Sequence, residues 1–412
     1  MGEVQDPIII IGSGLSGLAL AQGLKKNGQI PFKIFEREQP SQVRTQGYRI
    51  RLHNEGLQSL RQVLTPDVYD LFTETCAETV LGPLPNIDAV TTEFTIIDMG
   101  KNNPQGKLTQ SQEKPQTVDR AVLREVLLTG LTDYVTYGKE YLRYELAEDE
   151  KSVVAHFADG STQLGSLIVG ADGVRSAVRR QYLPDLRVLD TKSRPLYGKT
   201  PLKPEFLSHM LPKALDVLSF IKDNQEGSLT LMESIRFRPK EQRKDKRDLP
   251  DDYVYWALIP QAHSSAQISK TSNGVDHNGK PSELAKSMTR HWNTSLRPLI
   301  EYQDVTQTGV FRLLTVDPES LRQPWEPHAR VTIVGDAAHA MLPSTASGAV
   351  TALRDGADLA KLIYQHGISK EAIGKYEEEM RAYASEAVAV SAAIGVATFG
   401  LGSLNEAELV QW

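Results

Sequence analysis

The hydrophobic pattern changes period several times along the chain, and each change marks an element. Residues 8–11 are four consecutive isoleucines, an apolar β-branched run without polar alternation. Such a run predicts a parallel strand buried on both faces. After Gly12-Ser13-Gly14-Leu15-Ser16-Gly17, apolar residues recur at helical spacing from Leu18 to Leu24. They stop at Lys25-Lys26-Asn27-Gly28, where lysines and then a glycine suit a helix C-terminus. Phe32-Lys33-Ile34-Phe35 predicts a second strand, closed by Glu36-Arg37. These pieces make a strand–turn–helix–strand unit, and no second unit with its own glycine fingerprint follows.

Farther along, Ser152–Phe157 alternates, Asp159-Gly160 predicts a turn, and Ser166-Leu167-Ile168-Val169 returns as a buried run. Short strand candidates such as Tyr253–Ile259 fill residues 190–320 between polar loops. Glu241–Arg247 and Ser269–Lys280, charged or rich in Gly and Asn, read as surface excursions. Arg330–Val334 is another buried strand, and helical patterns occupy 345–395. There are no internal repeats. The expected fold class is α/β, with a Rossmann-like dinucleotide-binding domain, a mixed β-sheet domain and C-terminal helices.

Length and charge narrow the partners. A chain of 412 residues suits two or three domains. A net charge of −6 without long Lys/Arg runs argues against nucleic acid as a partner. Cys76, the single cysteine, excludes an internal disulfide framework and reads as a small buried hydrophobe. The acidic start Met1–Pro7 has no basic n-region, and Asp6 stands where a myristoylation signal needs Ser or Thr. Ala387–Gly402 is weakly polar but short for a membrane span, so a buried last helix is expected, with no membrane span. A cytoplasmic protein is the expectation.

The glycine turn carries specific chemistry because of its context. Gly12 permits the tight turn, Gly14 lets the backbone approach a pyrophosphate, and Gly17 lets helix pack on strand. Backbone N–H groups of Ser13, Leu15 and Ser16 at the helix start offer an anion site that needs no lysine. Glu36 follows about twenty residues on, where a carboxylate accepts from both adenosine ribose hydroxyls; Arg37 beside it is counted with the cofactor residues. That arrangement favours FAD or NAD over NADP. The competing reading is a glycine turn without a ligand.

Two further motifs choose the dinucleotide. Gly170-Ala171-Asp172-Gly173-Val174-Arg175 follows one buried strand, and Gly335-Asp336-Ala337-Ala338-His339-Ala340-Met341-Leu342-Pro343 follows another. With the N-terminal fingerprint, this ordered trio resembles the single-component FAD-dependent aromatic hydroxylases, the group of para-hydroxybenzoate hydroxylase, salicylate hydroxylases and tetracycline-inactivating monooxygenases. The resemblance spans residue 12 to beyond 350. It implies a discontinuous FAD-binding domain at 1–75, 110–185 and 325–370, a substrate-binding β-sheet domain at 76–109 and 186–324, and a C-terminal helical segment at 371–412.

The resemblance also implies roles. Gly335 and Asp336 face the FAD ribityl chain. Asp172 is the second acid, associated with FAD and pyridine nucleotide. Arg120 lies near the FAD phosphates. Gly47-Tyr48-Arg49-Ile50-Arg51-Leu52-His53 resembles the strand under the flavin, and strand period puts Arg49, Arg51 and His53 on one face. Arg49 is assigned to FAD, and Arg51, Tyr255 and Pro343 to the substrate side; a solvent-facing strand edge is the plainer alternative. Past Pro343 the family usually runs Gly-Gln-Gly-x-Asn. This chain keeps Gly348 and has Val350 where Asn is common, leaving backbone N–H groups of Gly348, Ala349 and Val350 for the flavin.

His339 is expected to anchor its loop rather than to act as a base or ligand. No metal-ligand spacing and no G-x-S-x-G elbow occurs. Tyr255-Trp256-Ala257-Leu258-Ile259-Pro260 has Tyr255 and Ala257 where the flavin halogenase signature has its tryptophans. The family implies that NAD(P)H reduces FAD, that O2 adds at flavin C4a, and that the hydroperoxide passes one oxygen to a small hydrophobic substrate (aromatic, polyketide or alkaloid) by hydroxylation or epoxidation. The alternatives are an oxidase or desaturase on the same scaffold, and a redox-inactive flavin-binding protein.

Overall fold

The structure, a computed structural model, describes residues 6–28, 30–39, 48–97, 113–148, 151–261 and 280–412. Its first sheet has five parallel strands in the order Val331–Ile333, Leu167–Gly170, Ile8–Ile11, Phe32–Glu36, Val135–Tyr137. The isoleucine run lies at its centre with Ile8, Ile9 and Ile10 fully buried, as an uninterrupted apolar strand requires. The helix Leu15–Asn27 packs closely on the helix Gly348–His366. A Cβ on Gly356 would stand 2.6 Å from Leu20 N, and one on Gly23 2.6 Å from Ala360 Cβ. Glycine at both contacts is what allows that approach.

The second sheet has seven strands: Gly309–Val310, Leu196–Pro201, Tyr253–Pro260, Ser228–Ile235, Ser219–Asp223, Pro85–Asp88 and Phe94–Ile96. On one face Val254, Trp256, Leu258 and Met232 pack with Ala285, Met288 and Trp292. Strand alternation turns Lys199, Glu233, Tyr253 and Tyr255 to the other face, where they meet residues of the first domain. The antiparallel pair Arg49–Leu52 with Gln116–Asp119 supplies those residues.

Two elements differ from expectation. The Asp159-Gly160 turn joins Val153–Phe157 to Thr162–Gly165, and Leu167–Gly170 enters the parallel sheet instead. The reason is in the burial: Val153–Phe157 alternates and suits a hairpin, whereas Leu167–Gly170 is buried throughout and needs cover on both faces. The last helix, Lys370–Phe399, is buried along one side only. Tyr376, Met380, Ala384 and Val388 join the core, while Val390 and Val396 are exposed. Tyr376 donates to Ile333 O of the first sheet at 3.0 Å, so the helix start packs as part of that domain. Among the described residues this helix alone is long and apolar enough to cross a membrane. Met1–Gln5, Gly47 and residues 269–279 lie outside the described residues.

Candidate functional site

The three loops at the carboxyl ends of the first sheet's strands converge, and their glycines show why. Gly12 has φ +104°, and a Cβ there would sit 2.4 Å from Ala171 O; one on Gly17 would sit 2.4 Å from Gly12 O. Both are required by the protein's own packing. Gly14 is different: its nearest contact would be Ala171 O at 3.9 Å, and its backbone is extended at φ −76°, ψ −177°. Nothing among the described residues demands glycine there, which fits a space left for a ligand's close approach. No side chain caps the helix that begins at Leu15, so its first N–H groups keep their capacity for an anion.

Glu36, at the end of its strand, accepts from Ser13 N and Ser13 Oγ on Oε2, both at 2.8 Å, and from Glu38 N on Oε1 at 3.0 Å. Burial alone would raise this carboxyl; the bonds from Glu38 and Ser13, with nearby Arg124, outweigh it and hold Glu36 below its ordinary range. Arg124 donates to Ser13 O at 3.0 Å and Ser13 Oγ at 2.6 Å. Arg120, the arginine picked from sequence, is exposed one turn earlier on the same helix, Arg120–Leu128. Arg124 is the one that touches the fingerprint loop, and the spacing of four marks it as sharing Arg120's face. Arg37 is exposed. Glu36→Ala is expected to weaken FAD binding by roughly ten- to a hundred-fold, the worth of one charge-assisted hydrogen bond. Titration of folded apoprotein with FAD measures this, and an unchanged dissociation constant would contradict the assignment.

Asp172 Oδ2 caps the helix Ala177–Tyr182, accepting from Ala177 N at 2.7 Å and Val178 N at 3.4 Å. Its Oδ1 is buried and has no protein partner among the described residues. Burial raises this carboxyl despite the bonds from Ser176, Ala177 and Val178. Buried Arg179 reaches across, donating to Ala337 O at 3.0 Å and Val174 O at 2.8 Å, and so ties the second loop to the third. Gly335, at φ +64°, brings the third loop against the fingerprint helix, where a Cβ would stand 2.5 Å from Ser16 Oγ. Asp336 follows with its side chain exposed. Beneath it, Asp355 accepts from Gly335 N and bonds His339 Nε2 on one oxygen, both at 2.6 Å, and accepts from Tyr383 OH on the other at 2.6 Å. His339 is fully buried in an anchoring position.

The helix Gly348–His366 starts beside Pro343, which is exposed; Gly348 and Ala349 are half-buried. Val350 is 2% exposed and packs toward Gly56. Where the family has an amide, this chain therefore has core packing, and only the backbone of that turn is available to a ligand.

On the substrate side the pairing of Arg51 removes the solvent-facing alternative. Arg49 and Arg51 do share a strand face, but both are ion-paired to Glu233 of the second sheet, and Arg51 is 3% exposed. It is no open edge, and burial, with Arg49 adding to it, pushes its guanidinium down to about 10 despite Glu233. His53 caps the next helix through its backbone, half-buried, with burial lowering its imidazole. Beside them Asp119 accepts from Lys199 Nζ at 2.8 Å and Tyr253 OH at 2.7 Å. Tyr255 belongs to a ring cluster: Tyr48 lies 6.0 Å from Tyr255, 5.2 Å from Tyr197 and 5.2 Å from Phe311. Among the described residues no group of acids, histidines and cysteines has the makings of a metal site.

Comparison with known proteins bears on this geometry. Residues 306–391 match the FAD binding domain family model. The chain is 38% identical over 394 residues, 89% of its length, to a dual O-methyltransferase/FAD-dependent monooxygenase of Phaeosphaeria nodorum, and spans 41% of that relative. It is 28% identical to an FAD-dependent monooxygenase of Trichoderma harzianum, covering 90% of this chain and 89% of the relative. These matches make the chain similar to FAD-dependent monooxygenases over most of its length. HpxO of Klebsiella pneumoniae, solved with FAD and uric acid, shares the fold at TM-score 0.73 and 20% identity, over 96% of this chain and 89% of that one.

The residues of this site fit FAD. Glu36 with Ser13 suits the adenosine end of FAD, and the open Gly14 and the uncapped helix suit its pyrophosphate. Asp336 is exposed where the third loop meets the fingerprint, and Asp172 keeps an unpartnered oxygen in the second.

Proposed function

We propose that this chain is an NAD(P)H-dependent FAD monooxygenase that inserts one oxygen atom into a small hydrophobic substrate of aromatic or polyketide type. The observation that carries the reading is the placement of three convergent loops, with Gly14 open and Asp336 exposed, at the carboxyl ends of the parallel strands. Bound FAD supplies the redox chemistry that couples a nicotinamide to dioxygen. The chain's own residues do the rest. Ser13, Glu36 and Asp336 hold the cofactor, the buried Asp355–His339 pair fixes the loop that carries Asp336, and the aromatic face of the second sheet excludes water from the reacting edge. No second fingerprint occurs in the chain, so NAD(P)H binds transiently against the same domain.

The relative in Phaeosphaeria nodorum joins an FAD-dependent monooxygenase to an O-methyltransferase. Ring hydroxylation makes an oxygen that O-methyl transfer can consume, so a phenol-bearing substrate or product suits this chain. Turnover under 18O2 with NADH or NADPH tests the reading: one labelled oxygen in product supports it. Oxidised product without label, with peroxide formed instead, would make the chain an oxidase or desaturase.

The two loop acids should separate by role. Asp336→Ala is expected to lose FAD more readily than Asp172→Ala, because Asp336 is exposed toward the cofactor while one Asp172 oxygen is spent on a helix cap. Asp172→Ala, reconstituted with FAD, should instead be reduced more slowly by NAD(P)H in a stopped-flow experiment. The reverse ranking would exchange the roles.

A further inference from the structure

We infer that Arg124 is a positioning residue for the adenosine diphosphate half of FAD, aiming two ligand-facing groups, the Gly14 N–H and the Glu36 carboxylate, through Ser13. This rests on the assignment of the loop to FAD and not on the oxygen chemistry. Ser13 is buried, and Arg124 Nη2 donates to its Oγ at 2.6 Å. A guanidinium carries no acceptor and a hydroxyl has one hydrogen, so that hydrogen is left for Glu36 Oε2, 2.8 Å away. Ser13 N gives a second bond to the same oxygen, and Glu38 N gives one to Oε1. The carboxylate is thereby turned with Oε1 as its less engaged oxygen, which keeps the capacity to accept from a ribose hydroxyl.

The second donor acts on the backbone. Arg124 Nε donates to Ser13 O at 3.0 Å. In a trans peptide the C=O and the N–H lie antiparallel, so holding Ser13 O toward Arg124 turns the Gly14 N–H the opposite way. That N–H meets no backbone acceptor among the described residues, and Gly14 is the glycine whose Cβ position is open. One planar fork of donors therefore sets both groups together, which the point charge of an ammonium does not do. Docking of the helix does not depend on this arginine. Asp119 caps Arg120–Leu128 at its start, accepting from Ala121 N and Val122 N. Gln22 Nε2 ties its end to the fingerprint helix, donating to Leu127 O at 2.7 Å and Thr129 O at 3.0 Å.

The probes are FAD and ADP, titrated into folded apoprotein whose thermal midpoint is measured alongside. Arg124→Met is expected to weaken both ligands by the same factor, about ten- to a hundred-fold, with the apoprotein midpoint kept. Arg124→Lys keeps the charge and loses the fork, so it should stay at least about fivefold weaker than wild type. In a Ser13→Ala background, which lacks the hydroxyl between Arg124 and Glu36, Arg124→Met should cost less than it does in wild type. Full affinity in Arg124→Lys would reduce Arg124 to a charge and overturn the role. So would a loss for FAD without one for ADP, or an equal cost of Arg124→Met with and without the Ser13 hydroxyl. A midpoint that falls in proportion to the lost affinity would make Arg124 a structural tie and overturn it too. Should Arg124→Met fail to fold, Ser13→Ala and Arg124→Lys decide: both must weaken ADP, and wild-type affinity in either overturns the role. Wild type that takes up neither ligand overturns the FAD assignment along with this role, whereas undiminished binding of both by Arg124→Met overturns the role alone.

Discussion

Gly14→Val is expected to give a folded apoprotein that no longer takes up FAD. The extended backbone at Gly14 is open to any residue, and the nearest obstacle to a new Cβ is Ala171 O at 3.9 Å. Valine is a poor residue to precede a helix, which costs about 1 kcal/mol. The fold should absorb that. A branched side chain there would stand where a pyrophosphate must meet the backbone, so FAD affinity should fall at least about a hundred-fold, close to 3 kcal/mol. Gly12→Ala supplies the contrast. At φ +104° and 2.4 Å from Ala171 O it should unfold the loop itself and lower the thermal midpoint of the apoprotein. Apoprotein melting and FAD titration of the two variants separate a glycine kept for the ligand from one kept for the turn. Undiminished FAD affinity in Gly14→Val would mean that the pyrophosphate lies elsewhere.

The parts of this site that were legible in the sequence are those encoded within a few neighbouring residues. The isoleucine run, the glycine turn and Glu36 each declare themselves by local pattern, because a strand end, a tight turn and a helix start are made by adjacent residues, whereas Asp172 and Asp336 stand out only through the family resemblance. Partners set by long-range pairing left no such trace. Glu233 claims both Arg49 and Arg51 from more than 180 positions away, and Lys199 reaches Asp119 from 80. Strand alternation put the two arginines on one face; it had no means of telling what stood opposite. The partner of Val153–Phe157 is hidden for a similar reason, since a turn fixes where the chain reverses but not which following run pairs with it. Arg124, one turn beyond Arg120 on the same helix face, left no trace either, because only the packing of that helix on the fingerprint loop brings it to Ser13.

Asp355 is the residue whose loss should damage both stability and cofactor binding most. It is fully buried and holds Gly335 N, His339 Nε2 and Tyr383 OH, all at 2.6 Å. Asp355→Ala strips acceptors from all three at once, and breaking a buried ion pair of this kind costs about 3–5 kcal/mol. The Gly335 turn would lose its anchor and carry Asp336 out of register, so FAD retention should fall with stability. Asp355→Asn is the more informative variant, since it preserves shape while removing the charge. Burial by itself would lower the His339 imidazole, but Asp355, with a smaller contribution from Asp336, outweighs it and raises the group above its ordinary value. A raised folded-state value means that the stabilisation is fully present below the unfolded imidazole range and is lost as pH climbs through the folded one. Wild type should therefore become less stable as pH rises across and above neutrality, and Asp355→Asn should show little of that slope. Urea midpoints measured from mildly acidic to alkaline pH make the comparison. Parallel pH profiles for the two proteins would show that His339 is not held as a cation by Asp355.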